Sequence, residues 1–465
     1  MNLGRTILSL FLALSLAACG GDDSGGGGGV GNAGSCSLSA RQDWALGVLQ
    51  EWYLFPELLA TNVNKADHAT LDSYIDALVA PARAQNKDRF FTYVTSIREE
   101  NDLIQNGSNA GFGILLSYDT ASNRVFVAEA YETAPAYLGG FDRGTEILQI
   151  NGQSVSTLMA TGGRDAVVSA LGPPDPGITR QFVIRSAGGV TTNPTVTKAE
   201  YPLDPISDRY GVRILDNGTS GRVGYINLRT FIIADAADQL RTAFQQFRSQ
   251  GVTHVILDLR YNGGGLVSVA DLLGDLMGEN LVNQVFSRTV LRPSKAAENS
   301  TKLFQNEPNQ IVTMKLAVIG RGGTASASEL VTNSMIPWLG NNIALVGADT
   351  YGKPVGQFAF DRSACDDRLR AVAFKTVNAN GQGEYFDGLA SVMPNTCSAG
   401  DDLATQLGDP NEASIKVALD FLGGRSCTPI SVSRSNGAIS QRGGTMQTLE
   451  PSGSRSVGPQ GPGVY

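Results

Sequence analysis

Residues 199–425 alternate strand and helix patterns, which predicts an α/β core built on a largely parallel sheet. Val255-Ile-Leu-Asp-Leu259 and Leu316-Ala-Val-Ile319 are short continuous apolar runs, as strands covered on both faces require. Leu240, Ala243, Phe244 and Phe247 recur between such runs at helical spacing. Ahead of this core, residues 96–198 are rich in strand and turn signals, and residues 36–95 carry helical patterns.

The first residues read as an export signal. Arg5 supplies the positive start, and Ile7 to Ala18 is an apolar run of 12 residues, too short to span a bilayer as a helix. The run ends in Leu16-Ala17-Ala18-Cys19, which resembles a bacterial lipobox, with residues 1–18 removed and Cys19 left as a lipid-bearing N-terminus. Residues 19–35 are mostly Gly, Asp, Ser and Asn and should behave as a flexible tether. Gly20 after the cysteine, instead of Asp, favours the outer over the inner membrane by resemblance to enterobacterial sorting.

An exported chain meets an oxidising compartment. Besides Cys19 there are Cys36, Cys365, Cys397 and Cys427, an even number that suggests two disulfides. Of the three pairings, Cys365–Cys397 with Cys36–Cys427 is expected. The first would close a strand-rich excursion, and the second would tie the chain ends together. There is no Cys-x-x-Cys pair or His cluster for a zinc site. The net charge of −8, with no basic block, argues against a nucleic-acid partner.

Ser39-Ala-Arg-Gln42 has the form of a capping box. Trp44, Val48, Leu49, Trp52 and Tyr53 follow at helical spacing as a core-facing stripe, and Leu71 to Leu78 predicts a second helix. In residues 96–198, strands are expected at 111–116, 124–128, 144–150 and 179–185, with an Asn-Gly turn at 151–152. Short helices are expected at 134–138 and 162–171. This order resembles a PDZ domain. Gly111-Phe112-Gly113-Ile114 matches the loop that holds a peptide carboxylate, and Gly144-Thr-Glu-Ile-Leu-Gln-Ile-Asn-Gly152 matches the central signature. PDZ domains bind peptide C-termini by adding a strand to a sheet edge.

In the core, strands are expected at 223–228, 255–259, 316–319 and 343–346, and helices at 267–277, 326–335 and 411–422. Residues 351–387 read as hairpins, with Asn378-Ala-Asn-Gly381 as a turn. Residues 426–465 are rich in Ser, Gly, Arg and Pro and are expected to be disordered.

The chain has only two histidines, His68 and His254, so a serine hydrolase here is short of its usual base. Ser326, in Gly323-Thr-Ala-Ser-Ala-Ser-Glu329, follows a buried strand and begins a helix. That position exposes the hydroxyl beside helical N–H groups and the positive dipole end. Lys353, in Tyr351-Gly-Lys-Pro-Val-Gly-Gln357, can serve as base if burial between apolar strands lowers its pKa. Gln357, four residues on in an extended strand, shares its face and can accept from the amine without adding charge. Leu257-Asp-Leu-Arg-Tyr-Asn-Gly-Gly-Gly265 ends a strand in a glycine turn suited to presenting an N–H to an oxyanion. No Lys-Ser/Thr follows, so it matches a nucleotide loop poorly.

In this order, over roughly residues 36–425, these motifs resemble the carboxyl-terminal processing, or tail-specific, proteases of peptidase family S41. The resemblance implies a crotonase/Clp-protease-like catalytic core with a PDZ domain and a small helical N-terminal region. It implies Ser326 as nucleophile in place of Ser328, Lys353 as base and Gln357 as its partner. Ala327 and Gly264 would give the oxyanion N–H groups. Neither a metal nor a nucleotide cofactor is required. The expected function is an envelope serine endopeptidase acting on polypeptides near their C-termini, with the helical region a candidate dimer surface. The alternative is a non-catalytic lipoprotein that binds peptides through its PDZ domain. Three departures stand out: 27 residues separate Ser326 from Lys353 where many relatives have about two fewer, Pro354 replaces a commoner glycine, and Pro337 stands where some relatives carry Asp.

Overall fold

The computed structural model describes residues 36–218, 221–431 and 446–447. The lipobox, Cys19 and the tether lie outside the described residues, as does most of the C-terminal tail.

A six-stranded sheet forms the centre of the molecule. Its order is Val212–Asp216, Arg222–Asn227, His254–Asp258, Lys315–Gly320, Ile343–Gly347 and Thr396–Ser398. The first pair is antiparallel and every later neighbour is parallel. Alternate residues of one strand enter different cores. Val255 and Leu257 pack with helices Ala236–Ser249, Val267–Met277 and Ala327–Leu339. Ile256 points the other way, toward helix Ala413–Leu422. Burial on both faces is why these strands are apolar without alternation.

A second sheet joins Tyr93–Ser96, Asp367–Val377, Val285–Leu291 and Ser300–Leu303, with Val355–Arg362 also paired to Asp367–Val377. Helices Leu38–Trp52 and Leu71–Arg83 pack on it through Leu49, Tyr53, Ile75 and Leu78 against Val355, Leu369, Ala371 and Val372. The first helix begins two residues earlier than the Ser39 capping box predicts. Ser37 is the N-cap and its Oγ accepts from Ala40 N–H, because Ser37 alone has the extended backbone a cap needs. Gln42 donates to the carbonyls of Lys65 and His68 instead of closing a box.

Between these parts, strands Ile114–Asp119, Arg124–Ala130, Glu146–Ile150 and Thr179–Arg185 form an antiparallel sheet with its own core, including Phe112, Val125, Phe141, Ile150 and Phe182. Asn151 and Gly152 both have positive φ, as the predicted tight turn demands. Helix Val155–Leu171 covers the sheet and breaks at Gly163. Strand Ser108–Gly111 pairs with Ala199–Pro202, which returns the chain to the core. Residues Met446–Gln447 add an antiparallel pair along Tyr118–Asp119.

The expected disulfide pairing is overturned. The bridges are Cys36–Cys365 and Cys397–Cys427, with Cα separations of 5.5 and 5.3 Å. Cys365 sits in the turn between the two strands beneath helix Leu38–Trp52, beside the start of that helix. Cys397 lies on the last strand of the central sheet, where Ser398 N–H donates to Thr428 O and so draws Cys427 alongside.

Candidate active site

Strand Lys315–Gly320 delivers the chain through a tight turn into helix Ala327–Leu339, with Ser326 as the N-cap. Thr324 Oγ1 donates to Leu259 O at 2.8 Å, and Ala325 N–H to Asn262 O at 3.1 Å, so this turn is sewn to the glycine turn. Ser326 has φ 56° and ψ −113°, a conformation worth roughly 1–3 kcal/mol of strain in a non-glycine residue. The bend leaves Ser326 partly exposed while Ala325, Ala327, Ser328 and Glu329 are buried. Ser328 Oγ donates to Asn262 O at 3.0 Å and is therefore a structural group.

The glycine turn lies against the serine. A Cβ on Gly264, whose φ is 102°, would stand 2.8 Å from Ser326 Cβ, Ala325 O and Ala327 N. Its N–H, the expected oxyanion donor, is engaged with Asn262 Oδ1 at 2.9 Å. Among the described residues no hydrogen bond uses the Ala327 N–H. The turn is anchored by buried charge. Arg260 makes a two-pronged pair with Glu412 at 2.7 and 2.9 Å and reaches Asp258 at 2.9 Å. Tyr261, at φ 68°, accepts from Arg143 of the β-rich unit at 3.0 Å.

Lys353 precedes strand Val355–Arg362, and its Nζ donates to Gln357 Oε1 at 2.9 Å. The two meet for a different reason than simple strand alternation. Lys353 lies outside the strand, and a bulge at Gly356/Gln357 re-aims the glutamine. Gly356 is required there, since a Cβ would fall 2.1 Å from the Phe374 ring. Burial pushes the Lys353 amine down to about 8, against the opposing pull of Asp88 and Glu329. The amine lies 4.8 Å from the Phe91 ring centroid, so an aromatic face contributes to its surroundings besides the apolar strands. The Lys353 amine bonds to Gln357, and no hydrogen bond links it to Ser326 among the described residues.

Sequence reasoning gave Glu329 no role, yet its carboxylate joins the two motifs. Oε2 accepts from Ser326 N–H at 3.0 Å and from Lys353 N–H at 2.7 Å. Oε1 accepts from Gly352 N–H at 2.7 Å and Thr350 Oγ1 at 2.6 Å. Burial raises the carboxyl to about 7, and these four donors act in the opposite direction. The signal was present in the sequence: Ser326-Ala-Ser-Glu329 is a serine followed three residues later by glutamate at a helix start.

In the β-rich unit, Gly113 has φ 74°, and a Cβ there would overlap that of Ala134 at 1.9 Å. The carbonyls of Phe112 and Gly113 accept from Ala136 and Tyr131, each at 3.0 Å. Phe112 is buried in the unit's core, Gly111 closes the short strand before it, and Ile114 opens the strand after it.

Residues 222–390 match peptidase family S41. The chain is 28% identical over 263 residues to carboxyl-terminal-processing peptidase 2, chloroplastic, of Arabidopsis thaliana, covering 55% of this chain and 48% of that one. It is 27% identical over 260 residues to the carboxyl-terminal-processing protease of Synechocystis sp., covering 55% of this chain and 56% of that one. The chain thus spans about half the length of these curated relatives. A crystal structure from Bacteroides fragilis, of a protein named for the S41 proteases, superposes with a TM-score of 0.65 at 22% identity. It covers 82% of this chain and 97% of its own, so the two share a fold. The chain carries a peptidase family S41 domain over residues 222–390, and Ser326, Lys353 and Gln357 all fall within it.

Proposed function

We propose that the chain is a serine endopeptidase that cleaves polypeptides near their C-termini through Ser326 and Lys353. One observation carries this reading: the Lys353 amine is held against an aromatic ring with a neutral acceptor, Gln357, as its hydrogen-bond partner. Burial of the amine favours its free form, which a base needs, and outweighs the ring face and amide oxygen, both of which favour the ammonium. Neutral Lys353 takes the Ser326 proton as Oγ bonds to the scissile carbonyl carbon. The developing oxyanion is met by the Ala327 N–H, and by the Gly264 N–H once Asn262 Oδ1 releases it. The lysine ammonium then protonates the leaving amine. Lys353 next removes a proton from water, which attacks the acyl ester and frees Ser326.

The β-rich unit is read as a PDZ domain that captures a C-terminal segment along strand Ile114–Asp119, close to the Gly111-Phe112-Gly113 loop. The positive φ of Gly113 and its contact with Ala134 support that loop geometry. Anchoring through Cys19 in the bacterial envelope, facing the periplasm with the outer membrane favoured, rests on the sequence alone.

The test is digestion of an unfolded protein substrate by the native chain and by Ser326→Ala and Lys353→Ala. Both variants should lose activity. Full activity in either would sink the assignment.

A further inference from the structure

A strap of five residues, Asp88-Arg89-Phe90-Phe91-Thr92, connects the region of helix Leu71–Arg83 to strand Tyr93–Ser96 and lies outside residues 222–390. It is stapled from within. The buried Asp88 carboxylate accepts from Phe91 N–H at 2.9 Å, Thr92 N–H at 3.0 Å, Thr92 Oγ1 at 2.7 Å and Tyr53 OH at 2.8 Å. Phe90 takes φ 64°, unusual for a bulky side chain, and is 40% exposed beneath the Arg83 guanidinium. That bend turns the next residue, Phe91, inward.

The strap holds the lysine loop at two places. Arg89 donates to the carbonyls of Tyr351 and Gly352, the latter at 2.9 Å, and lies 4.0 Å over the Tyr351 ring. Phe91 O accepts from Gln357 Nε2. A carbonyl can only accept, so this bond fixes which end of the Gln357 amide faces it. Oε1 is thereby left to face Lys353. Were the amide turned over, its NH2 would donate to the amine's lone pair, and a lone pair so occupied cannot take a proton.

We infer that the strap Asp88–Thr92 positions the active site, with Phe91 O setting the Gln357 amide so that the Lys353 lone pair stays free, and the Phe91 ring keeping water from the amine. This rests on the peptidase reading. Phe91 is a positioning residue, since it acts through Lys353 and Gln357. The charged groups acting on the amine are Asp88 from the strap, Glu329 from helix Ala327–Leu339 and Arg370 from strand Asp367–Val377, and none of them is altered in the test.

The test is a pH titration of lysine labelled at 13Cε, in the full chain carrying Ser326→Ala to prevent self-digestion. The Lys353 signal is assigned by its loss in Lys353→Met. Its inflection should lie near 8, as burial also places that of Lys198, and well below those of the remaining lysines. Phe91→Ala should move it up by about one unit, roughly a tenfold change in the free amine at neutral pH. Phe91→Leu, which keeps an apolar cover, should leave it near its native position. If Phe91→Ala does not fold, Arg89→Lys, which keeps the charge but lacks the guanidinium fork that reaches both carbonyls, loosens the same strap and should shift the signal in the same direction. An unmoved inflection in the folded variant overturns the inference. In the Ser326 background, the pH–rate curve of Phe91→Ala should shift with the NMR curve while its alkaline plateau is retained. A lysine signal that moves in a chain with no peptidase activity would defeat the peptidase reading and leave the strap's effect on the amine intact.

Discussion

Replacing Lys353 with methionine should make the protein more stable at neutral pH, and less so as pH rises. The folded chain holds this amine at about 8 instead of its ordinary 10.5, because burial penalises the ammonium. A shift of that size corresponds to ~3 kcal/mol, trimmed to roughly 2–3 because Lys353 is only partly buried. The sign follows from linkage: a lowered folded value makes the folded state the weaker proton binder. Its benefit is present above the ordinary lysine range and is lost as pH falls through about 8. Methionine avoids the buried charge but strands Gln357 Oε1, a loss of about 1 kcal/mol. The variant should therefore gain ~1–2 kcal/mol at pH near 7 and lose about 1 in the alkaline limit. Urea unfolding of both proteins across this range measures the difference, and titrations common to both cancel. A stability difference that does not change with pH would refute the argument that burial sets the lysine's proton affinity.

Peptidase activity of the native chain should rise with pH through about 8, read as kcat/KM on an unfolded substrate. A profile flat across that region would remove Lys353 as the base. Glu329→Ala leaves the N–H groups of Ser326, Gly352 and Lys353 without their acceptor and should cost ~3–5 kcal/mol in denaturant melts, with activity falling a hundredfold or more. Gly264→Ala pushes a methyl group into Ser326 and Ala327, so kcat should fall by at least a hundredfold. Unaltered kcat there would separate the glycine turn from the chemistry. Deleting residues 432–465 removes the pair that Met446–Gln447 makes on Tyr118–Asp119 and should tighten binding of a C-terminal peptide severalfold by fluorescence polarisation. Unchanged affinity would show that this pair does not compete with peptide.

The central sheet was readable because its strands are buried on both sides, and Val255–Leu259 can satisfy that only by being apolar throughout. The start of a helix at Ser326 and the pairing of Lys353 with Gln357 were readable because each lies within a short local motif. What could not be read arises from residues far apart in the chain. The cover on Lys353 includes Phe91, and the grip on its loop comes from Arg89, more than 250 residues earlier. Nothing in the spacing of Cys365 and Cys397 reveals that one lies under the N-terminal helix and the other on the last strand of the central sheet. The engagement of Gly264 N–H depends on the rotamer of Asn262, which no motif specifies. Ser39 misled because Ser37, two residues earlier, has an equally suitable hydroxyl and the extended backbone.

The two disulfides have a consequence for durability among proteases. Cys36 is the first described residue, two positions ahead of the opening helix, and Cys427 follows the closing helix by only a few residues. A peptidase nibbling inward from either terminus reaches a cross-link before any helix or strand of the core. Threading requires a free end, and entry from either terminus is stopped here at a covalent cross-link. The terminal segments can be trimmed away while the folded body remains a closed substrate to such enzymes.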